Sequence, residues 1–169
     1  IEETGSMYVG NDPSSTTNGA NYNVAVGTTA LDAIEEGDNN TAVGYNALTS
    51  NTAGAGNTAL GYETLKDNVT TSYNVAVGNN ALEKNTGGYN TAMGNSSLTN
   101  KVSGGYNTAI GHTAGNNITS GSDNVLIGYN TDGSSATPTN QIVIGKGTSG
   151  QADNSVTLGN ADVTAVYMA

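Results

Sequence analysis

The chain has 169 residues, of which only 35% are hydrophobic, with 24 Gly, no Trp, no Phe and no Cys. A net charge of −10, with every one of its four basic residues a Lys, argues against nucleic acid or an anionic membrane as partner. The missing cysteines exclude disulfides and thiolate metal sites, and no apolar run approaches the roughly 20 residues of a membrane span.

Composition of this kind suits a polar, disorder-prone segment, but the order of the residues overrules it. Residues 1–22 hold a degenerate first copy of a motif, Ser6-Met7-Tyr8-Val9-Gly10, and a turn-rich lead-in with Pro13 and Asn18-Gly19. The absence of a signal-peptide pattern at Ile1 is expected of a fragment whose targeting information lies elsewhere. Residues 23–111 then repeat the motif in regular form as Asn23–Gly27, Asn40–Gly44, Asn57–Gly61, Asn74–Gly78, Asn90–Gly94 and Asn107–Gly111. The step is seventeen residues, once sixteen. Repetition at a fixed period is the signature of a stacked array, which grows by adding copies rather than by enlarging one core.

Each copy alternates as a strand does. Thr41 and Val43 point one way, while Asn40, Ala42 and Gly44 point the other. Four residues past each Gly stands a Leu, at Leu31, Leu48, Leu65, Leu82 and Leu98, which predicts a second short strand. The links between are rich in Gly, Ser, Thr and Asn, the chemistry of turns. The period therefore reads as strand, Gly corner, second strand, loop, with successive coils about 4.8 Å apart and the rod roughly 50 Å long. Helix is confined to one candidate, Thr29–Glu36, with Leu31 and Ile34 at helical spacing; elsewhere Gly, Asn and β-branched residues are too dense for helix interiors.

Residues 112–160 continue the array in modified form. The Leu row lapses at Gly115, Asp132 and Ser149, while the first strand becomes more apolar at Leu126-Ile127 and Ile142-Val143-Ile144. Residues 161–169 predict one more strand or a connector to a C-terminal region outside this sequence.

The two faces of the repeated strand are both apolar. One collects Val24/Val26, Thr58/Leu60, Val75/Val77 and their equivalents, and is expected to be covered by the coil's own second strand. The other carries Ala25, Ala42, Ala59, Ala76, Ala92 and Ala109, then Leu126 and Val143. A strand apolar on both faces is covered on both sides, so this second face is expected to be the interface with other copies of the chain.

Catalytic chemistry finds little footing, and no enzyme activity is expected. His112 is the lone His and has no triad partners placed by the pattern; a solvent-facing corner is its expected position. Gly145-Lys146-Gly147-Thr148 lacks the first Gly of a phosphate loop. Glu35-Glu36-Gly37-Asp38 lacks the alternating ligands of a calcium loop and reads as a solvated acidic loop, so no metal or cofactor is expected. The repeated Asn reads as structural, its amide satisfying backbone groups at a corner. Tyr73, Tyr89 and Tyr106 precede the Asn in three successive copies and should stack, as should Tyr45 and Tyr62 after the Gly. Such a column either covers the coil's edge or presents rings to a glycan.

Asn154-Ser155-Val156-Thr157-Leu158-Gly159, which follows at a fourteen-residue step, resembles the Asn-Ser-Val-Ala-Ile-Gly repeat of trimeric autotransporter adhesin heads. Asn107-Thr108-Ala109-Ile110-Gly111 and its siblings resemble the related form in phage tail fibres and fibre-like bacterial surface proteins. The resemblance spans about residues 6–160. It implies an all-β, left-handed parallel β-roll, here of about ten coils with two short strands each, assembled as a homotrimer with the repeated strands at the three-fold interface. It further implies a structural and host-attachment segment on a virion tail fibre or cell surface, with a host glycan or protein receptor as partner and no membrane insertion in this segment. The head of a bacterial trimeric adhesin is the alternative. An ice-binding solenoid is disfavoured, because Thr41, Thr58, Thr91 and Thr108 share a face with the core aliphatics and Val75 interrupts them. A polysaccharide-degrading tailspike would need paired carboxylates in a groove.

Overall fold

A computed structural model describes residues 5–10, 19–100 and 103–165. Most of the lead-in around Pro13 and the last residues of the 161–169 tail lie outside the described residues. The chain is an all-β parallel solenoid in which ten three-residue strands form one sheet in sequential order. The strands are β1 (Met7–Val9), β2 (Val24–Val26), β3 (Thr41–Val43), β4 (Thr58–Leu60), β5 (Val75–Val77), β6 (Thr91–Met93), β7 (Thr108–Ile110), β8 (Val125–Ile127), β9 (Ile142–Ile144) and β10 (Val156–Leu158). Each pairs in parallel with the next at identical motif positions: Thr41 with Thr58, Ala42 with Ala59, Val43 with Leu60. One slip would exchange the two faces of a strand, so equal register in every pair aligns every like side chain into a row along the rod.

What fixes that register is a buried ladder of amides. The Asn23 Oδ1 accepts from the backbone N–H of Asn40 at 2.8 Å, and the Asn40 Oδ1 accepts from that of Asn57 at 2.9 Å. The relay continues through Asn74, Asn90, Asn107 and Asn124 to the N–H of Gln141. Every Nδ2 in the ladder but that of Asn74 also reaches forward to a backbone carbonyl of the next turn, as from Asn23 to Gly37 and from Asn57 to Thr71, while the Asn74 Nδ2 donates back to the Asn57 Oδ1 at 3.2 Å. The side chains are fully buried, where an unmade bond costs the desolvation of the group. A second amide ladder, Asn51–Asn68–Asn85, runs beside the first: Asn40 and Asn51 both donate to the Gly54 carbonyl, and the Asn90 Nδ2 donates to the Asn85 Oδ1 at 3.4 Å.

The Gly that closes each strand has a φ of +129° to +140° at every rung from Gly27 to Gly145. A Cβ on Gly78 would also stand 2.6 Å from the carbonyl oxygen of Gly94. Backbone approach and conformation thus both demand Gly at this corner.

The expected second strand does not form. Leu31, Leu48, Leu65, Leu82 and Leu98 lie in turns, each with φ between +48° and +53°. Left-handed residues break the extended backbone, yet the turns still bond rung to rung, as from Leu48 N–H to the Thr64 carbonyl at 3.0 Å. The region Thr29–Glu36 likewise folds as turns, and no helix occurs among the described residues. The five Leu are fully buried and form the core with the strand alanines.

Past β7 the core shifts its bulk from one wall to the other. Gly115 takes the Leu position, where a Cβ would meet Leu98 Cδ2 at 2.7 Å. In compensation the inward strand position enlarges from Ala109 to Leu126 and then Val143, both fully buried. Keeping total volume constant is the way a packed interior tolerates such exchange. Of the tail, Ala161–Ala165 makes a turn rather than a strand, with Val163 packed over Gly159.

Asn57→Ala is expected to leave the buried Asn74 N–H, which its Oδ1 accepts at 3.0 Å, without that partner, and to remove one of the two amides, its own at 2.9 Å and that of Asn68 at 3.0 Å, that donate to the Thr71 carbonyl. At about 1–3 kcal/mol for a buried unsatisfied group, the variant should melt well below the parent in thermal circular dichroism; an unchanged midpoint would show that the ladder is dispensable.

Candidate assembly interface

The inside of a turn is narrow, and this decides which strand face is which. Ala25, Ala42, Ala59, Ala76, Ala92 and Ala109 are 0–1% exposed in the single chain, as are Leu126 and Val143. They point into the coil against the Leu row and cannot form the inter-chain contact expected of them from the sequence. Only a methyl fits beside the inward Leu, so the larger residues on either side of the Ala turn outward.

The outward face consists of two rows. One runs through Val24, Thr41, Thr58, Val75, Thr91, Thr108, Val125 and Ile142; the other through Val26, Val43, Leu60, Val77, Met93, Ile110, Ile127 and Ile144. Within them Leu60 is 47% exposed, Met93 43%, Ile144 38% and Val75 36%. Ten strands at about 4.8 Å and three residues at about 3.3 Å give a strip roughly 43 Å long and 10 Å wide. The strip is aliphatic along one row and mixed Val and Thr along the other, and it is on the scale of the exposed patches that serve as interaction sites. It carries no charged side chain from β2 to β9.

Two corners flank the strip. The leading corner is the residue just before each strand Asn, and the trailing corner the residue just after each Gly. At the leading corner Tyr73, Tyr89 and Tyr106 stack with ring centroids 5.2 and 5.0 Å apart. At the trailing corner Tyr45 stacks on Tyr62, and His112 on Tyr129, both at 5.4 Å. Both tyrosine columns are as the sequence implies. The His112–Tyr129 pair escaped sequence reasoning, although the repeat already placed both at the same motif position. All these residues are solvent-exposed.

Stacking uses up ring faces. Tyr89 has a ring on either side, and the lower face of Tyr73 lies over Gly56, where a Cβ would stand 2.9 Å from Tyr73 Cδ1. The column expected as a glycan platform therefore offers edges and hydroxyls at Tyr73 and Tyr89, where both ring faces are covered. Tyr73, Tyr89 and Tyr106 also hold φ near +60°, at a position filled elsewhere by Asn39, Gly56, Asn140 or Asn154. Tyrosine is an unfavoured resident of left-handed backbone, and its recurrence needs a compensating contact.

Charge is sparse and lies away from the strip's centre. Lys66 sits 3.4 Å from Glu63 and 3.9 Å from Glu83. Burial pulls the Glu63 carboxyl upward, but the Asn46 amide and the Lys66 ammonium outweigh it and hold it below its usual range. Burial likewise pulls Lys66 down, and Glu63 outweighs it to leave the ammonium above its usual range. In the acidic loop, Asp38 accepts the Asn21 N–H at 2.7 Å.

Comparisons with protein-family models, with curated proteins and with solved structures returned no match.

Two expectations follow. Ala76→Glu should bury a carboxylate inside the coil and abolish cooperative folding, whereas Ile110→Glu, on the outward face, should leave the solenoid's circular dichroism intact; the reverse result would invert the assignment of faces. Because Glu63 is depressed, its contribution to stability is complete above the unfolded glutamate range and is lost as pH falls through its own lower value. Lys66→Met should move that loss to higher pH in a series of melting curves.

Proposed function

We propose that the chain is a rigid segment of an extracellular attachment fibre, most closely of the phage tail-fibre type, which trimerises through the outward strand face and carries a surface for a host glycan or protein receptor. The uncovered two-row apolar strip is the observation that supports this reading. A monomeric rod would leave Leu60, Met93, Ile110 and Ile144 in water along its whole length. Three copies set around a common axis bury three such strips against one another, and burying apolar surface yields roughly 25 cal/mol per Å² before the costs of association. The interface residues are thus the Val/Thr and aliphatic rows rather than the alanines. A straight parallel stack held by amides inside and by partner chains outside resists bending, as an attachment rod must. Receptor contact falls to the polar loops and ring edges left outside the trimer. Linking three such surfaces raises avidity through effective concentration.

A second reading draws on the same face. Thr41, Thr58, Thr91 and Thr108 lie outward instead of in the core, which is the placement a threonine-presenting ice-binding sheet requires. Val75 and the adjacent aliphatic row make it the weaker fit, and thermal hysteresis in a freezing assay would favour it.

Light scattering of the purified chain should give three times the single-chain mass. Ile110→Glu should reduce that to one chain while the fold persists, and should weaken adhesion to host cells. A wild-type chain that stays monomeric at high concentration would refute the assembly.

A further inference from the structure

Seven of the nine tyrosines occupy the two corners that flank the outward face, and they are distributed one to a rung from β2 to β8. On three rungs the ring is at the leading corner and a small polar residue at the trailing one: Tyr22 goes with Thr28, Tyr73 with Asn79, Tyr89 with Asn95. On three others the arrangement is reversed, and Tyr45 goes with Asn39, Tyr62 with Gly56, Tyr129 with Asp123. Only β7 has rings at both corners, Tyr106 and His112. The tyrosines are 46–62% exposed in the single chain.

Nothing within one chain requires this alternation. The corners of a rung are six residues apart across an extended strand, on the order of 15–20 Å, so they do not crowd each other. Stacking alone would be served better by one unbroken column, yet the leading column breaks at Asn39 and Gly56, and rings appear on the other corner of those same rungs. The corners compensate each other as surfaces do when they meet.

We infer that copies of this chain pack parallel and in register around an axis along the rod, with the leading corner of each protomer seated against the trailing corner of its neighbour. Six rungs of that seam between β2 and β8 then hold one tyrosine ring opposite a Thr, Asn, Gly or Asp, and at β7 Tyr106 meets His112. Rotation about an axis along the rod necessarily brings leading against trailing at equal height. A three-fold assembly allows only this parallel arrangement; a two-fold antiparallel pair centred on β5 would set Tyr73 against Tyr73, Tyr89 against Gly56 and Tyr106 against Asn39, and in it the single Tyr73→Cys variant would link to itself. Tyrosine, with its large apolar area and polar tip, is enriched at interfaces of this kind. The seam also supplies the contact that compensates tyrosine in left-handed backbone. This inference rests on the self-assembly proposed above and adds its direction, register and contact pairs.

The chain has no Cys, so disulfide trapping starts from a clean background. In the variant Tyr73→Cys/Asn79→Cys, mild oxidation should link neighbouring chains into a covalent species with the mass of the whole oligomer. Each single variant should stay at one chain on a non-reducing gel. So should Tyr73→Cys/Asn95→Cys, one rung out of register, because about 4.8 Å more exceeds the roughly 4.4–6.8 Å Cα separation of a disulfide. Independently, Asn79→Tyr should weaken the oligomer by putting two rings on one rung, and Tyr73→Asn/Asn79→Tyr should restore it. The seam is overturned if a single variant links by itself, or if the matched pair stays unlinked while light scattering still reports the oligomer. A single-chain mass for the unmodified protein overturns the self-assembly together with the seam.

Discussion

A parallel stack of three-residue strands has few hydrogen bonds of its own, and its corners leave backbone N–H and carbonyl groups turned into a dry interior. The asparagine ladder resolves this. Every amide from Asn23 to Asn107 accepts from the next rung's N–H, and its Nδ2 finds acceptors among neighbouring backbone and side-chain oxygens. A half-satisfied buried network would be worse than none, so the ladder ties each turn to one height and one register. Everything else in the rod follows from turns that cannot slide.

With register fixed, the cross-section becomes a question of volume. Between the amide ladder and the Leu row there is room for a methyl group from the strand, and where the Leu row yields to Gly115 the strand enlarges to Leu126 and Val143. The interior is filled by one chain. Its apolar content is modest, which fits the low hydrophobic fraction of the sequence, and the remaining large aliphatics are displaced to the outside. That displacement gives the molecule its proposed function: a coil complete within, and uncovered along one outer face, is suited to joining its own copies into a fibre.

The corners extend the same logic outward. Left-handed backbone before each strand suits Asn, Asp and Gly, and those residues fill it wherever tyrosine does not. Tyrosines introduced there stack on one another in short runs and leave small partners at the other side of the rung. In the proposed assembly a seam that alternates ring and gap would fix the register between chains, which apolar rows of similar residues would not do by themselves.

The period, the strand positions, the parallel stacking and the structural role of the asparagines were all legible in the sequence, because a repeat places equivalent residues at equivalent heights whatever the details of the turn. So were the tyrosine columns. The sense of the strand was not. Thr-Ala-Val alternates equally well with either face inward, and bulk argues for burying Val and Leu; only the closed turn has an interior too narrow for them beside a row of Leu. The Leu segment reads as strand and folds as turn for a related reason: its left-handed backbone arises from the tight closure of a short turn, a constraint of geometry that no local preference of Ala or Leu encodes.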